Sequence, residues 1–573
     1  MAAKPPLFWV PEAKKTWRGD VIAGLTLWTL VIPEAVAYAS LAGVPAQAGI
    51  FTIVIGVFVY ALVGNSKLLV ASATSATAAM MGAVVADVSV TPQVAAGAIT
   101  LAVGLTFLVA GLLRLGFLLN FISTPVNKGF LVGLAIFITI GQVFKLTGME
   151  RADGDAFVKV WEFATHLGDI NWTATAIGLL SLAALFTIPK LTPKLPAGII
   201  VLAVATVASG WLDLAKNEGV KIVGKIPAGL PSPGIPSVPW SDWLLIFSAA
   251  TGIVLLALSE AIPVASDLDT ADGETLDDNA EIRAFGFVNV ANGLFGGMVG
   301  AGSMSSSSLN AESGAKTPLS SVVAASAGLL TLLFFTPVFK SLPEPCLAAL
   351  IIHALSHHLR FEPLSKVRRF DYPDFWLGMV ALVGVLVLDV LGGLLLAMFI
   401  NFAYLVYRAT RVRISEMGSR PDAPEVLVAT SVYPDATLPE GVMGLRIDGE
   451  FYYANAEPTV DQILSRLKNA PGTSDLLLDM TAVFRLDYTC AYQLRRISTQ
   501  CEATAVGLHL VRVHSDIESH IEKVGLGHLV VKAQELPRRL VVSAPNGAAE
   551  HTRSSEKEGA AQREQGGTSH DES

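Results

Sequence analysis

The stretch from Gly296 to Leu319, GGMVGAGSMSSSSLNAESGAKTPL, lies between two long apolar segments but consists mainly of small and hydroxyl-bearing residues. Little water is expected between two apolar segments. The backbone N–H and C=O groups of this stretch must therefore hydrogen-bond to other groups of the protein or line a water-filled cavity. Serines at the start of a short helix can cap its free N–H groups and leave others directed at a ligand. Because a helix N-terminus carries about half a positive charge, we expect an anion site here. The alternative is a contact between helices through small residues.

The composition is that of a polytopic membrane protein with a soluble part. Of the 573 residues, 52% are hydrophobic and 16% are charged, which is more apolar than a large soluble enzyme. The three cysteines make no disulfide framework. Basic residues form short clusters rather than a long stripe, so nucleic acid is not an expected partner.

Apolar runs of about 20 residues recur between residues 21 and 408. The last two of these runs are 373–390 and 391–408. Two shorter segments, 70–87 and 302–313, are rich in Ala, Ser, Thr and Gly. Together they predict an α-helical polytopic membrane protein of about fourteen spans, in which these two segments are the third and the tenth. The third and tenth spans are seven apart, and because seven is odd, two halves of seven spans each would have opposite orientations in the membrane. Broken helices in corresponding positions of such halves indicate a substrate site near the membrane midplane.

The basic residues determine the predicted orientation. Most of them fall on one side of the predicted spans, which the positive-inside rule makes cytoplasmic. We therefore expect a multi-pass protein of the plasma (inner) membrane with both termini in the cytoplasm. The predicted domains are a cytoplasmic N-terminus at 1–20, a transmembrane transport domain at 21–408, a linker at 409–440, a soluble α/β domain at 441–540 and a disordered tail at 541–573.

Several stretches together resemble the SulP family of anion transporters. They are GDVIAGLTLWTLVIPEAVAYASLAGVPAQAGI (19–50), IVGKIPAGLP (222–231), NGLFGGMVGAGSMSSSSLNAESGAKTPLS (292–320) and DLLLDMTAVFRLDYTCAYQL (475–494). The last of these resembles the STAS domain that follows the membrane part in this family. The resemblance implies a seven-plus-seven inverted repeat with a core domain that moves against a gate domain, a substrate between the third and tenth helices, and a homodimer. It also implies secondary transport of a small inorganic or carboxylate anion, such as a sulfate-like anion, bicarbonate or a dicarboxylate.

The candidate substrate-binding residues lie at the starts of the two small-residue segments. They are Ser72, Thr74 and Ser75 in the third segment and Gly302, Ser303, Met304 and Ser305 in the tenth. Hydroxyl groups at such positions also mediate ordinary helix packing.

Two glutamates, Glu34 and Glu260, stand in apolar spans next to Pro33 and shortly before Pro263. Carboxylates inside a membrane are costly, which makes them candidates for binding a coupling H⁺ or Na⁺. Glu260 also resembles the acidic residue that faces the substrate site from the family's eighth helix. The alternatives are that Glu34 caps backbone N–H groups at a helix break and that Glu260 is solvated near the cytoplasmic boundary.

Many family members have Arg where this chain has Ser306. This difference counts against sulfate, because a divalent anion gains most from a fixed cation. It also favours symport, in which a cation enters with the anion. The alternatives are an anion exchanger or channel of the same family, a nucleobase carrier of related fold, and a membrane-anchored STAS signalling protein.

The sequence predicts neither an enzyme nor a cofactor. It contains no nucleotide-binding loop and no metalloprotease or hydrolase motif. His353, His357 and His358 offer an i, i+4 pair, but no carboxylate or cysteine completes a metal site. The turn Asp487-Tyr488-Thr489-Cys490 matches a phosphorylated turn of anti-sigma-factor antagonists except that Cys490 replaces glycine, and the alternative is a helix N-cap by Asp487.

Overall fold

The computed structural model describes residues 13–117, 123–150, 154–192, 197–227, 229, 233–271, 277–356, 358–532 and 538–541. The chain forms two compact units, Met1–Phe402 and Ala403–Ser573. The expected tail at 541–573 lies outside the described residues except for Val541, and His357 of the histidine group also lies outside them.

The first unit is helical, with two short strands. Its helices are α1 (Ala13–Leu41), α2 (Ala46–Phe51), α3 (Phe58–Val63), α4 (Ser75–Asp87), α5 (Pro92–Leu112), α6 (Thr124–Leu146), α7 (Ala156–Thr165), α8 (Trp172–Leu191), α9 (Ala197–Trp211), α10 (Leu214–Asn217), α11 (Trp240–Ala271), α12 (Asp278–Leu294), α13 (Met304–Glu312), α14 (Leu319–Leu330), α15 (Glu344–Leu355), α16 (Glu362–Phe370) and α17 (Tyr372–Ala409). The strands are β1 (Ala71–Ser72) and β2 (Ala301–Gly302). A π-helical turn, Thr52–Val57, joins α2 to α3 into one helix.

The helices of this unit pack as two bundles. The first bundle contains α1–α5 and α11–α14, and the second contains α6–α9 and α15–α17. Contacts between the bundles run from α1 to α9 and α15, and from α4 to α6. Two bundles that meet over limited contacts are consistent with a core domain and a gate domain.

Glycines let the helices of the first bundle approach closely. A Cβ at Gly104 of α5 would lie 2.4 Å from the backbone nitrogen of Val290 in α12. In the same way, a Cβ at Gly293 of α12 would lie 2.5 Å from the backbone nitrogen of Leu101 in α5. The two backbones therefore pack against each other with no side chain between them, as small residues permit in membrane helices.

Among the described residues, the structure has eight helical segments that are long and apolar enough to cross a membrane. Four shorter apolar helices are Ser75–Asp87, Ala197–Trp211, Glu344–Leu355 and Tyr372–Leu388. The expected spans 373–390 and 391–408 both lie within α17. A Cβ at Gly393 would lie 2.4 Å from the backbone nitrogen of Val385. Eight residues of a straight helix span about 12 Å, so α17 folds back between these residues. The count of fourteen spans stays a prediction.

The second unit is an α/β domain. Its strands are β3 (Arg413–Arg420), β4 (Ala423–Ala429), β5 (Val442–Asp448), β6 (Asp475–Asp479), β7 (Gly507–Val511) and β8 (Val530–Val531), and its helices are α18 (Tyr453–Lys468), α19 (Tyr488–Ala503) and α20 (Ser515–Lys523). They form one sheet in the order β4-β3-β5-β6-β7-β8, parallel from β5 to β8 and antiparallel at β3 and β4. The helices cover this sheet with apolar residues such as Val460, Ile463, Leu494, Ile497 and Ile517.

The expected linker at 409–440 contains two strands of this sheet. Strand β3 pairs with both β4 and β5, and Arg413 lies opposite Asp448. The sequence of β3, RISEMGSR, has few β-branched or aromatic residues, so its strand propensity is weak. Pairing with β5, about thirty residues later, decides its conformation, and the sequence pattern does not contain that information.

Asp487 caps helix α19 in the second unit. Its Oδ1 accepts a hydrogen bond from the backbone N–H of Cys490 at 2.8 Å, and its Oδ2 accepts one from Tyr453 at 2.6 Å. Partial burial raises the pKa of the Asp487 carboxyl, but these backbone donors hold it below its usual value. One carboxylate oxygen of Asp487 thus caps α19, as the helix-cap interpretation expects, and the other binds the first residue of α18.

The close packing of α5 on α12 predicts opposite results for two glycine substitutions. Gly104→Ala places a methyl group on the Val290 backbone and should destabilise the protein by about 1–3 kcal/mol. Gly141→Ala in α6 is the matched control, because no described atom lies within 4 Å of its Cβ position and Ala is the better helix former by about 1 kcal/mol. Thermal melting of detergent-purified protein measures both, and equal melting temperatures for the two variants would contradict the packing.

Candidate functional site

The two strands of the membrane unit pair with each other in its interior. Ala71 lies opposite Gly302 and Ser72 opposite Ala301, in an antiparallel register. Each strand then leads into a short helix, β1 into α4 and β2 into α13. The pairing therefore brings two helix N-termini together, and the helices leave it in opposite directions.

A hydroxyl residue caps each of the two helices. Thr74 accepts a hydrogen bond from the N–H of Thr77 at 3.2 Å, and the Thr77 hydroxyl accepts one from the N–H of Thr74 at 3.2 Å. At α13, the Ser303 hydroxyl accepts a hydrogen bond from the N–H of Ser306 at 3.3 Å. These caps satisfy part of each helix start and leave the remaining N–H dipoles directed outward.

Side chains of α13 also satisfy the extended backbone before β1. The backbone nitrogen of Val70 donates to the Ser307 hydroxyl at 2.9 Å, and the Val70 carbonyl accepts from the backbone nitrogen of Ser303 at 3.0 Å. The Asn310 amide donates to the carbonyl of Leu68 at 3.1 Å. Unsatisfied backbone groups at this depth cost several kcal/mol each, so α13 and the chain before β1 stabilise each other.

Asn289 fixes the chain that leads into β2. Its amide oxygen accepts from the nitrogen of Gly300 at 2.8 Å, and its amide nitrogen donates to the carbonyl of Gly300 at 2.8 Å and to that of Phe285 at 2.9 Å. This fully buried residue was not among those predicted from sequence. The sequence feature that could have identified it is the pair of amide side chains, Asn289 and Asn292, in the otherwise apolar segment FVNVANGLF.

Each candidate carboxylate contacts one of the two helix starts. Glu34 of α1 accepts hydrogen bonds from the hydroxyls of Ser305 at 3.4 Å and Ser306 at 3.3 Å, both in α13. Glu260 of α11 accepts one from the hydroxyl of Thr74 at 3.2 Å, at the start of α4. Helix α1, in the first half of the chain, thus carries the carboxylate that contacts the tenth segment. Helix α11, in the second half, carries the carboxylate that contacts the third segment.

The two carboxylates border a common region. Tyr38, one turn after Glu34 on α1 and 5% exposed, is within electrostatic range of both Glu34 and Glu260. Gly302 packs directly on α11, where a Cβ would lie 2.7 Å from the Cβ of Ala261, the neighbour of Glu260. The packing of β2 on α11 therefore holds Glu260 beside the paired strands.

The predicted residues differ in exposure. Ser72 and Ser303 are 2% and 4% exposed, and Gly302 is also buried. In contrast, Met304 is 65% exposed, Ser305 is exposed, and Ser75 is half-buried. Buried residues thus build the paired strands and the cap of α13, while Thr74, the cap of α4, is half-buried and the first turn of α13 presents Met304 and Ser305 to open space.

A further carboxylate, Asp20, anchors the loop after α13 and was not predicted from sequence as a site residue. It is fully buried and accepts hydrogen bonds from the backbone nitrogens of Lys316 and Thr317 at 2.7 and 3.1 Å, and from the hydroxyl of Thr317 at 2.9 Å. A hydrogen bond from Thr16 at 2.8 Å completes the set. Residues 13–20, which were expected to belong to a cytoplasmic N-terminus, are part of helix α1.

The role of Asn289 predicts a difference between two similar substitutions. Asn289→Leu removes both hydrogen bonds to Gly300 and should lower the free energy of unfolding by about 2–4 kcal/mol, because two buried backbone groups lose their partners. Asn292→Leu is the matched control one turn away, since Asn292 donates a single long bond to Met298 at 3.3 Å. Melting temperatures of the purified variants test this, and a loss at Asn292 as large as at Asn289 would contradict it.

Comparison with known proteins identifies the family. The sulfate permease family model matches residues 17–381, and the STAS domain model matches residues 433–538. A probable sulfate transporter of Mycobacterium tuberculosis is 30% identical over 530 residues, which cover 90% of this chain and 94% of the relative. Among solved structures, the murine Solute Carrier 26 family member A9 anion transporter in the inward-facing state matches with a TM-score of 0.83 and 20% identity, over 97% of this chain and 96% of that chain. The transmembrane domain of the cyanobacterium bicarbonate transporter BicA matches with a TM-score of 0.60 and 23% identity, over 67% of this chain and 97% of that domain.

These matches confirm the resemblance to the SulP family and the mostly helical polytopic membrane fold with a C-terminal STAS domain. They also support a transport function rather than an enzymatic one. With its family match over residues 17–381, the chain belongs to the sulfate permease family of membrane anion transporters.

Proposed function

We propose that this protein carries out secondary active transport of a small inorganic or carboxylate anion, in symport with H⁺ or Na⁺. The supporting observation is the meeting of two helix N-termini at the β1–β2 pair, each with a carboxylate bonded to its first turn. The anion binds at the first turns of α4 and α13, where Met304 and Ser305 face open space.

The charges at this site favour symport over free anion binding. Two helix N-termini together supply about one positive charge, whereas Glu34 and Glu260, if both are ionised, supply two negative charges. At an effective dielectric constant near 20, two like unit charges about 4 Å apart repel each other by roughly 4 kcal/mol, so ionised carboxylates at the two helix starts oppose an anion. A cation on one carboxylate removes this opposition, and Ser306 contributes only a hydroxyl in place of a fixed positive charge.

Glu260 is the better placed of the two carboxylates to bind the cation. Glu34 is 6% exposed and already accepts hydrogen bonds from two hydroxyls, whereas Glu260 is less buried and accepts one from Thr74. An exchangeable ion needs a carboxylate that it can reach and that retains free lone pairs. Glu260 therefore binds the coupling ion, and Glu34 holds the start of α13 in place.

Substitution of Glu260 tests the coupling. Glu260→Gln mimics the neutral carboxyl, so we expect the variant to retain anion exchange across the membrane but to lose accumulation driven by a gradient. The measurement is uptake of labelled sulfate, bicarbonate or succinate into liposomes, with a proton or sodium gradient imposed and then collapsed. Wild-type uptake that ignores both gradients but requires an internal anion would mean exchange and would contradict symport.

Filling the open space at α13 tests the position of the anion. Ser305→Trp should abolish uptake and leave a folded protein, because Ser305 is exposed and its side chain does not cap the helix. Ser303→Trp is a poorer probe, since Ser303 is buried and caps α13. Ser326→Trp on the exposed face of α14 is the control and should transport normally. Normal uptake by Ser305→Trp would place the substrate elsewhere.

A further inference from the structure

Helix α16 (Glu362–Phe370) links two apolar helices of the second bundle, α15 and α17. Its side chain Leu364 is buried and packs with Val132 of α6 and Leu382 of α17. A Cβ at Gly378 of α17 would lie 2.9 Å from the Cδ2 of Leu364, so the contact with α17 is close. Helix α16 is therefore docked on the second bundle, between two segments that are apolar enough to lie in a membrane.

Large aromatic side chains lie around this helix and are exposed. Phe370, the last residue of α16, is 92% exposed. Phe361, just before the helix, and Tyr372 and Trp376, in the first turns of α17, are each more than half exposed. Aromatic rings gain free energy when they leave water, and Tyr and Trp are favoured at the membrane–water interface. These rings therefore indicate that α16 lies at this interface.

Basic side chains share the exposed surface of α16 with the aromatic rings. The four that are exposed are Arg360, Lys366, Arg368 and Arg369. Lys366 pairs with Glu362 at 2.8 Å, so its charge is balanced within the helix. The guanidinium group of Arg368 lies 5.8 Å from the centre of the Phe375 ring, a contact that leaves its charge in place. Within the part of the chain that the structure describes, none of the three arginines forms an ion pair.

The acidic side chains of this segment have other roles. Residues 360–374 carry four basic and three acidic side chains, which leaves a net charge of +1. Glu362 is bonded to Lys366, whereas Asp371 and Asp374 are half-buried at the start of α17. The positive end of a helix stabilises carboxylates at that position. The three arginines therefore stay available to an anionic partner at the edge of the membrane.

We propose that α16 binds the headgroups of anionic phospholipids, with its arginines on the phosphate groups and its exposed rings among the adjoining acyl chains. The planar guanidinium group matches a phosphate through two parallel hydrogen bonds. A lipid satisfies the arginines and the rings at once, which a free phosphate ion does not. The predicted topology places α16 on the cytoplasmic side, where basic segments next to membrane helices attract anionic lipids.

The consequence for the protein is an anchor for the second bundle. Leu364 joins α16 to both α6 and α17, so lipids bound to α16 hold these two helices at one leaflet of the membrane. This inference concerns a binding surface for lipid and does not depend on which anion is transported or how its transport is coupled.

The test measures lipid binding by the detergent-purified full chain. Phosphatidylglycerol and phosphatidylcholine with the same acyl chains are titrated separately, and the rise in melting temperature is recorded. We expect phosphatidylglycerol to stabilise the wild-type protein at lower concentrations than phosphatidylcholine does. In the triple variant Arg360→Gln/Arg368→Gln/Arg369→Gln, the phosphatidylglycerol concentration for half-maximal stabilisation should rise by roughly fivefold for each arginine lost. Arg369→Gln alone, with a rise of about fivefold, covers a triple variant that fails to fold.

Two control variants separate the arginines of α16 from general effects of charge. The variant Lys468→Gln/Arg495→Gln/Lys523→Gln removes three exposed positive charges from the soluble domain and should leave the half-maximal concentration unchanged. Replacement of all three arginines of α16 by lysine keeps the charge and should stay within about threefold of wild type. Inorganic phosphate that stabilised the wild type and not the triple variant would mean a free anion as ligand and would overturn the lipid assignment.

A second measurement tests the contact of the aromatic side with the membrane. The native cysteines are buried, so a nitroxide label on Phe370→Cys or on Ser365→Cys reports on that position alone. In liposomes, oxygen should relax the label at position 370, because oxygen concentrates in the acyl region. A water-soluble nickel chelate should relax the label at position 365, since Ser365 is exposed about 140° around the helix from Phe370.

Three results would overturn the inference. One is an equal half-maximal phosphatidylglycerol concentration for the wild type and the glutamine variants. Another is stabilisation by phosphatidylcholine as strong as that by phosphatidylglycerol. The third is a label at position 370 that only the nickel chelate reaches, because α16 would then face water with its aromatic side.

Discussion

The antiparallel pairing of Ala71–Ser72 with Ala301–Gly302 is the contact on which the rest of the membrane unit depends. Interrupted helices within an apolar interior leave backbone donors and acceptors that no water satisfies. Here the two interruptions satisfy each other, and Ser307, Asn310 and Asn289 bind the carbonyl and N–H groups that remain. Because these partners lie on α12 and α13, the broken helices hold their positions only when the whole first bundle is assembled.

The two glutamates also connect the two halves of the chain. Glu34 of α1 contacts the start of α13, and Glu260 of α11 contacts the start of α4, so each half provides the acid for the other half's helix. This exchange follows the inverted-repeat relation expected from the sequence. A change of charge on one glutamate therefore acts on a helix from the opposite half, and the proposed symport uses this contact to couple the ion to the anion.

Much of the fold and part of the site follow from the sequence alone. Long apolar runs determine a polytopic membrane protein, and the small-residue segments around Ser72 and Ser303 mark the two broken helices, because local composition decides whether a segment forms a continuous apolar helix. Glu34 and Glu260 stand out for the same reason. Only the tertiary structure decided that Ser303 is a buried cap, that Met304 and Ser305 face open space, that Asp20 and Asn289 hold the flanking loops, and that β3 joins the sheet. Each of these depends on partners far away in the chain or across a turn, and helix packing, rather than local periodicity, brings them together.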